Sequence, residues 1–316
     1  MRPRYFLLAT LMAAALALPC AYPQTRAANG AAERPTSKVV TKRLGELPEP
    51  AAPPVFSDDG CHVAYVTRGA GGMQVFVDGQ TGPAYDDIAG LVFGPDGRRV
   101  AYMAGKGEKW FVVVDGVEGP PYDGIMEGTP VFSPDGQRVA YVAAKGDKRF
   151  VVVDGVEGPA YDGIAEGDPV FSPDGQRVAY AAQKGEKWLV VVDGAEGPPY
   201  DGVGTLLFSP DGQRVAYGVQ KGEKWLVVVD GVEGPAYDGI AEGDPVFSPD
   251  GQRVAYVAAK GDKRFVVVDG VEGPAYEDII QNGPTFRQGG ILEYLAVEGG
   301  VLFRVKDVPI GPANHR

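Results

Sequence analysis

From Val55 onward, apolar residues come in short runs, each closed by a turn-forming cluster. One stretch shows the pattern. Pro169-Val170-Phe171 leads into Ser172-Pro173-Asp174-Gly175, and Arg177-Val178-Ala179-Tyr180 follows. Lys184-Gly185-Glu186-Lys187 breaks the chain again before the continuous run Trp188-Leu189-Val190-Val191-Val192. Asp193-Gly194-Ala195-Glu196-Gly197-Pro198 is a third break, and Tyr200-Asp201 opens a last short segment. Runs this short, rich in β-branched and aromatic residues and bounded by Gly, Pro and Asp, predict strands rather than helices. Pro173 suits the second position of a tight turn and Gly175 supplies a positive φ, so Ser-Pro-Asp-Gly predicts a type I turn. Each unit therefore reads as four short antiparallel strands. The unbroken valines predict strands covered on both faces.

The unit repeats. Its aromatic falls at Phe56, Phe93, Phe132, Phe171, Phe208, Phe247 and, in a worn copy, Phe286, at spacings of 37 or 39 residues. Val131 to Tyr161 recurs without change at Val246 to Tyr276, 115 positions later, which points to duplication of a three-unit block. Units of this length with four strands each predict an all-β fold, a β-propeller of seven four-stranded blades spanning 55–312. The seventh unit runs out before a fourth strand. Val39 to Arg43 is the candidate strand to complete it and close the ring, within an N-terminal segment 28–54 whose Pro48 to Pro54 stretch is a stiff connector.

The motif Phe-Ser-Pro-Asp-Gly followed by Val-Ala-Tyr resembles the WD40-like repeat of TolB-type propellers, seen also in the propellers of prolyl-oligopeptidase-like enzymes. The resemblance runs from about Val55 to Ile280. The first copy departs from it with Ser57-Asp58-Asp59-Gly60, the second with Gly94-Pro95-Asp96-Gly97 and the seventh with Arg287-Gln288-Gly289-Gly290. It implies the propeller fold only. No hydrolase domain follows the repeats and no α/β domain precedes them, so neither family's activity carries over.

Composition narrows the setting. The formal net charge is −12, which disfavours general nucleic-acid binding and adhesion to anionic membranes. Arg2 and Arg4 followed by the uncharged stretch Phe6 to Leu18 read as an export signal within 1–27, cleaved near Ala17 or Ala27. Only Cys20 and Cys61 are present. Cys20 sits where a lipoprotein carries its lipid, but Pro19 replaces the small residue such a site needs, so a soluble periplasmic or secreted monomer is the leading expectation.

Chemistry is sparse. The histidines are His62 and His315, the motif serines lie in turns, and no Gly-x-Ser-x-Gly elbow occurs. Cys/His zinc is excluded for want of ligands, and the recurring acids, such as Asp154, Glu157 and Asp162, read as turn chemistry rather than a calcium loop. The sequence calls for no cofactor and no metal. Alternating strand direction puts the second-to-third turns and the fourth-to-first loops on one face. That face collects Lys106, Lys145, Lys184, Lys221 and Lys260, with Glu127, Glu166, Asp168, Glu242 and Asp244. Just after the lysine turns the units alternate in type, as Trp110, Arg149, Trp188, Trp225 and Arg264. Trp and Arg are the commonest binding anchors, which makes these five the candidate site. The plainer expectation is that each Trp packs between blades and each Arg pairs with a carboxylate. The reading is a non-catalytic, exported scaffold for a protein partner. A glycan- or small-ligand-binding propeller is the alternative, and an enzyme with a central-channel site the second alternative.

Overall fold

The computed structural model describes residues 53–307, apart from 70, 168, 242–244, 281 and 282. The segment 1–27 expected to be an export signal, Cys20 and the candidate closing strand Val39 to Arg43 lie outside the described residues. Seven antiparallel sheets follow one another along the chain, and the architecture is a β-propeller. Here they are numbered as blades 1 to 7.

Blade 4 shows how the sequence builds one. Its first strand is in two pieces, Gly163–Ile164 and Val170–Phe171, both paired with Val178–Lys184. Lys187–Val192 and Ala195–Glu196 complete the sheet. Three turns fix the register. In the first, Gly175 N–H donates to Ser172 O at 2.8 Å, the bond of a type I turn. Ser172, fully buried, is held by its neighbours: its Oγ donates to Asp174 and accepts the Arg177 N–H. The second is a two-residue hairpin, Lys184 opposite Lys187, with Gly185 at φ +63° in the first central place, which suits a II′ turn. The third, Val192 opposite Ala195, puts both Asp193 (φ +52°) and Gly194 (φ +81°) in the left-handed region, as a I′ turn requires.

Spacing decides whether the first strand is whole. Blades 2 and 5 belong to the short units, and theirs run on as Asp87–Phe93 and Gly202–Phe208 with one irregularity in register. In blades 3, 4 and 6 the two extra residues are ejected as a loop, such as 126–130 between Gly124–Ile125 and Val131–Phe132. In blade 7, Asp278–Ile279 and Thr285–Phe286 both pair Leu292–Glu298, whose other neighbour is Val301–Asp307. Val301–Asp307 is the last strand of blade 7 among the described residues.

The core is a series of blade junctions. At the 3–4 junction, Val142 and Val151 of blade 3 meet Ile164, Tyr180 and Leu189 of blade 4. A tyrosine pair marks the same place at junction after junction: Tyr122–Tyr141, Tyr161–Tyr180 and Tyr237–Tyr256 meet edge-on with centroids 6.0–6.1 Å apart. The glycine of Val-Glu-Gly-Pro has a steric reason, since a Cβ on Gly158 would come within 3.1 Å of Val151 O and 3.5 Å of the Tyr180 hydroxyl.

An arginine clamp ties each of blades 2 to 6 to the next. Arg177 Nε donates to Asp193 of its own blade at 2.8 Å, and its Nη1 donates to Gln213 O in the next blade's turn at 2.7 Å. The guanidinium also lies over Phe208 of that blade, 5.3 Å from the ring centroid. Arg99, Arg138, Arg214 and Arg253 repeat the arrangement over Phe132, Phe171, Phe247 and Phe286.

Candidate functional site

The face opposite the clamps carries the candidate residues. Its two loop sets meet, as the strand directions predict. Asp123, on the loop from blade 2 to blade 3, accepts the Gly146 N–H of the blade 3 hairpin at 2.7 Å. Asp162 with Gly185, Asp201 with Gly222 and Asp238 with Gly261 make the same bond. The Tyr-Asp pairs are thus turn caps, with the tyrosine buried and the aspartate reaching the next hairpin.

The lysines on this face are committed. Lys145 pairs with Glu157, Lys184 with Glu196, Lys221 with Glu233 and Lys260 with Glu272, each across its own sheet. Lys106 stands 3.9 Å from Glu118. A second row, Lys109, Lys148, Lys187 and Lys224, pairs with Asp123, Asp162, Asp201 and Asp238. These partners hold Asp123, Asp162, Asp201 and Asp238 below the usual aspartate range, mainly through the lysine hydrogen bond. Glu157, Glu196, Glu233 and Glu272 are lowered by their lysines first, and also by a tyrosine hydroxyl.

Left over are the hairpin-tip acids Glu108, Asp147, Glu186, Glu223 and Asp262, all exposed, with Glu127 and Glu166 on the long loops. Asp168, Glu242 and Asp244 lie outside the described residues. Between these acids sit the five predicted positions, all half-buried. Trp110, Arg149, Trp188 and Trp225 each bridge to a fourth-strand tyrosine through the backbone, and Arg264 pairs with Tyr276 in the same register. On their other side they face Gly105, Ala144, Gln183, Gln220 and Ala259. The Trp110 ring lies along Gly105, where a Cβ would sit 3.5 Å from it. Arg149 donates to the Lys148 carbonyl at 3.2 Å, so it folds onto its own turn rather than onto a carboxylate. The structure therefore sets the five at equivalent places on successive blades, one per blade from 2 to 6.

Sequence reasoning missed the clamp on the opposite face. Its signal is a fixed interval of sixteen residues between the motif arginine and the Asp of the Asp-Gly turn, as in Arg177 and Asp193. Along the rim on that side, crevices of about 460, 580 and 390 Å³ recur at the 5–6, 3–4 and 2–3 junctions, floored by valines and a tyrosine. Among the described residues no group of three or more His, Cys, Asp or Glu could hold a metal ion. His62 is engaged with Asp78, and the motif serines Ser133, Ser172, Ser209 and Ser248 are fully buried.

No family model matches the chain, and no curated protein does. Solved structures do. TolB from Acinetobacter baumannii is 19% identical with a TM-score of 0.32, over 67% of this chain and 62% of that one. The β-propeller domain of the Trilobed protease from Pyrococcus furiosus is 13% identical with a TM-score of 0.36, over 81% and 94%. A eukaryotic initiation factor is 15% identical with a TM-score of 0.43, over 83% and 78%. The β-propeller fold stands on the seven repeated four-stranded sheets themselves. At these identities the likeness concerns fold, and the chain spans under two thirds of the length of TolB.

Proposed function

We propose that this protein is an exported, non-catalytic scaffold that binds a protein partner through the face carrying Trp110, Arg149, Trp188, Trp225 and Arg264. One observation carries the reading. On that face the lysines and the loop aspartates are tied to one another, while the tryptophans, the two arginines and the hairpin-tip carboxylates remain for a partner. Half-buried Trp and Arg on a rigid support suit anchoring, because little side-chain freedom is lost when they are covered. The burial of the motif serines and the engagement of His62 support a role without nucleophilic catalysis.

The test is capture from cell-envelope extract with the mature protein, beside a Trp110→Ala, Trp188→Ala, Trp225→Ala variant checked for folding. Partners held by the wild type should be lost, or retained at least tenfold less well, by the variant. Equal retention would reject this face as the site. Binding of the wild type to a glycan array, again lost in the variant, would move the same face to the glycan reading.

A further inference from the structure

Blade 1 lacks part of the set of ties that holds the other blades together. Where Arg99, Arg138, Arg177, Arg214 and Arg253 stand in blades 2 to 6, blade 1 has His62. Its Nδ1 meets Asp78 Oδ2 at 2.5 Å, and Asp78 also accepts the Val63 N–H, so the half of the clamp inside the blade survives. The half that reaches the next blade does not. The carbonyls of Gly136 and Gln137 receive Arg99, whereas the imidazole makes no bond to the matching turn at 94–99 in blade 2. The tie on the opposite face is weakened too. Gly72 occupies the place of Lys109, so Asp86 accepts the Gly107 N–H at 2.7 Å without a lysine beside it. In blade 7 the clamp position holds Ile291, so no arginine points onward from that end. Phe93, the ring at the junction of blades 1 and 2, has no guanidinium over it among the described residues, whereas its counterparts in blades 3 to 7 all lie beneath one.

We propose that blade 1 is a releasable blade that opens as a unit while blades 2 to 6 stay locked. Its hold on blade 2 includes the apolar contact of Val66, Val75 and Tyr85 with Ile88, Val100 and Tyr102, the Tyr85–Glu118 hydrogen bond, the Asp86 cap and the packing of Ser57 against Gly97. Opening uncovers the apolar face of blade 2. The blades most like one another in sequence keep the full clamp, and the one that departs most from the motif among the first six has shed it.

Hydrogen exchange read by mass spectrometry on the full chain tests this. Segments 63–77, 100–114 and 178–192 each occur once in the sequence, unlike those of blades 3 and 6, and so can be told apart. In the wild type, 63–77 should exchange at least tenfold faster than 178–192. His62→Arg should slow 63–77 severalfold. Arg99→His should raise exchange in 100–114 severalfold, because blades 1 and 2 then open together. Equal protection of 63–77 and 178–192 in the wild type would overturn the proposal. So would failure of either variant to change its own segment.

Discussion

Arg177 serves two blades at once, and several residues of the unit work the same way. Tyr161 is buried in blade 4's junction yet donates its hydroxyl to Glu196 of blade 4 from the end of blade 3, and Glu196 also takes Lys184. Such shared bonds make the protein's stability depend on protonation at both ends of the pH scale. The carboxylates named above titrate below their ordinary values of 3.8 and 4.5, so their contribution is present above those values and is lost as pH falls through the lower folded ones. Burial acts oppositely on the tyrosines. It raises Tyr122, Tyr161 and Tyr237 above their ordinary value of 10.0 and pushes Tyr256 up to about 12. Unfolded tyrosine ionises first, so that contribution is full below pH 10 and is lost as pH rises beyond it. Melting temperature measured from pH 3 to 12 should show a plateau between about pH 5 and 9.5, falling on both sides. A step near pH 6.5, inside that plateau, would contradict this assignment of the titrating groups.

At the scale of the strand, most is legible in the residues themselves. Ser-Pro-Asp-Gly, Lys-Gly-Glu-Lys and Asp-Gly each declare a turn by chemistry that acts over four residues, and the valine runs between them have no helical period. The ejected loop at 126–130 was harder to see, because two extra residues can lengthen a strand, bulge it or break it, and the choice depends on pairing with Val139–Lys145. The clamp hid for a related reason, since its arginine and aspartate stand on different strands and its acceptors belong to the next blade. The turns themselves can be tested. Gly194→Val places a β-branched side chain at φ +81°, where space is open but the backbone is not, and should cost about 1–3 kcal/mol in urea unfolding. Ala195→Val next to it restores the residue found in blades 2, 3, 5 and 6, and should be neutral within about 0.5 kcal/mol.

Across the whole molecule, near-uniform blades make the exceptions informative. Five clamps run in one direction from blade 2 to blade 7, and the chain's departures from its own motif gather at the two ends. The opposite face differs between blades chiefly at the Trp/Arg position, and there the residue types follow the duplicated block rather than simple alternation. The sequence pointed to these five residues because they vary where all else repeats. It could not show that the neighbouring lysines are tied down, because their acidic partners lie twelve to fourteen residues away across strand pairs. A convenient consequence is that the three tryptophans of the chain all belong to this face. Tryptophan emission, excited selectively over the fifteen tyrosines, therefore reports on the proposed site. Titrating a captured partner or glycan into the mature protein should shift or quench the tryptophan emission in step with binding, and Trp188→Phe with Trp225→Phe should weaken that binding about tenfold or more. Saturable binding that leaves the emission unchanged, with the same affinity in the variant, would place the function on another part of the propeller.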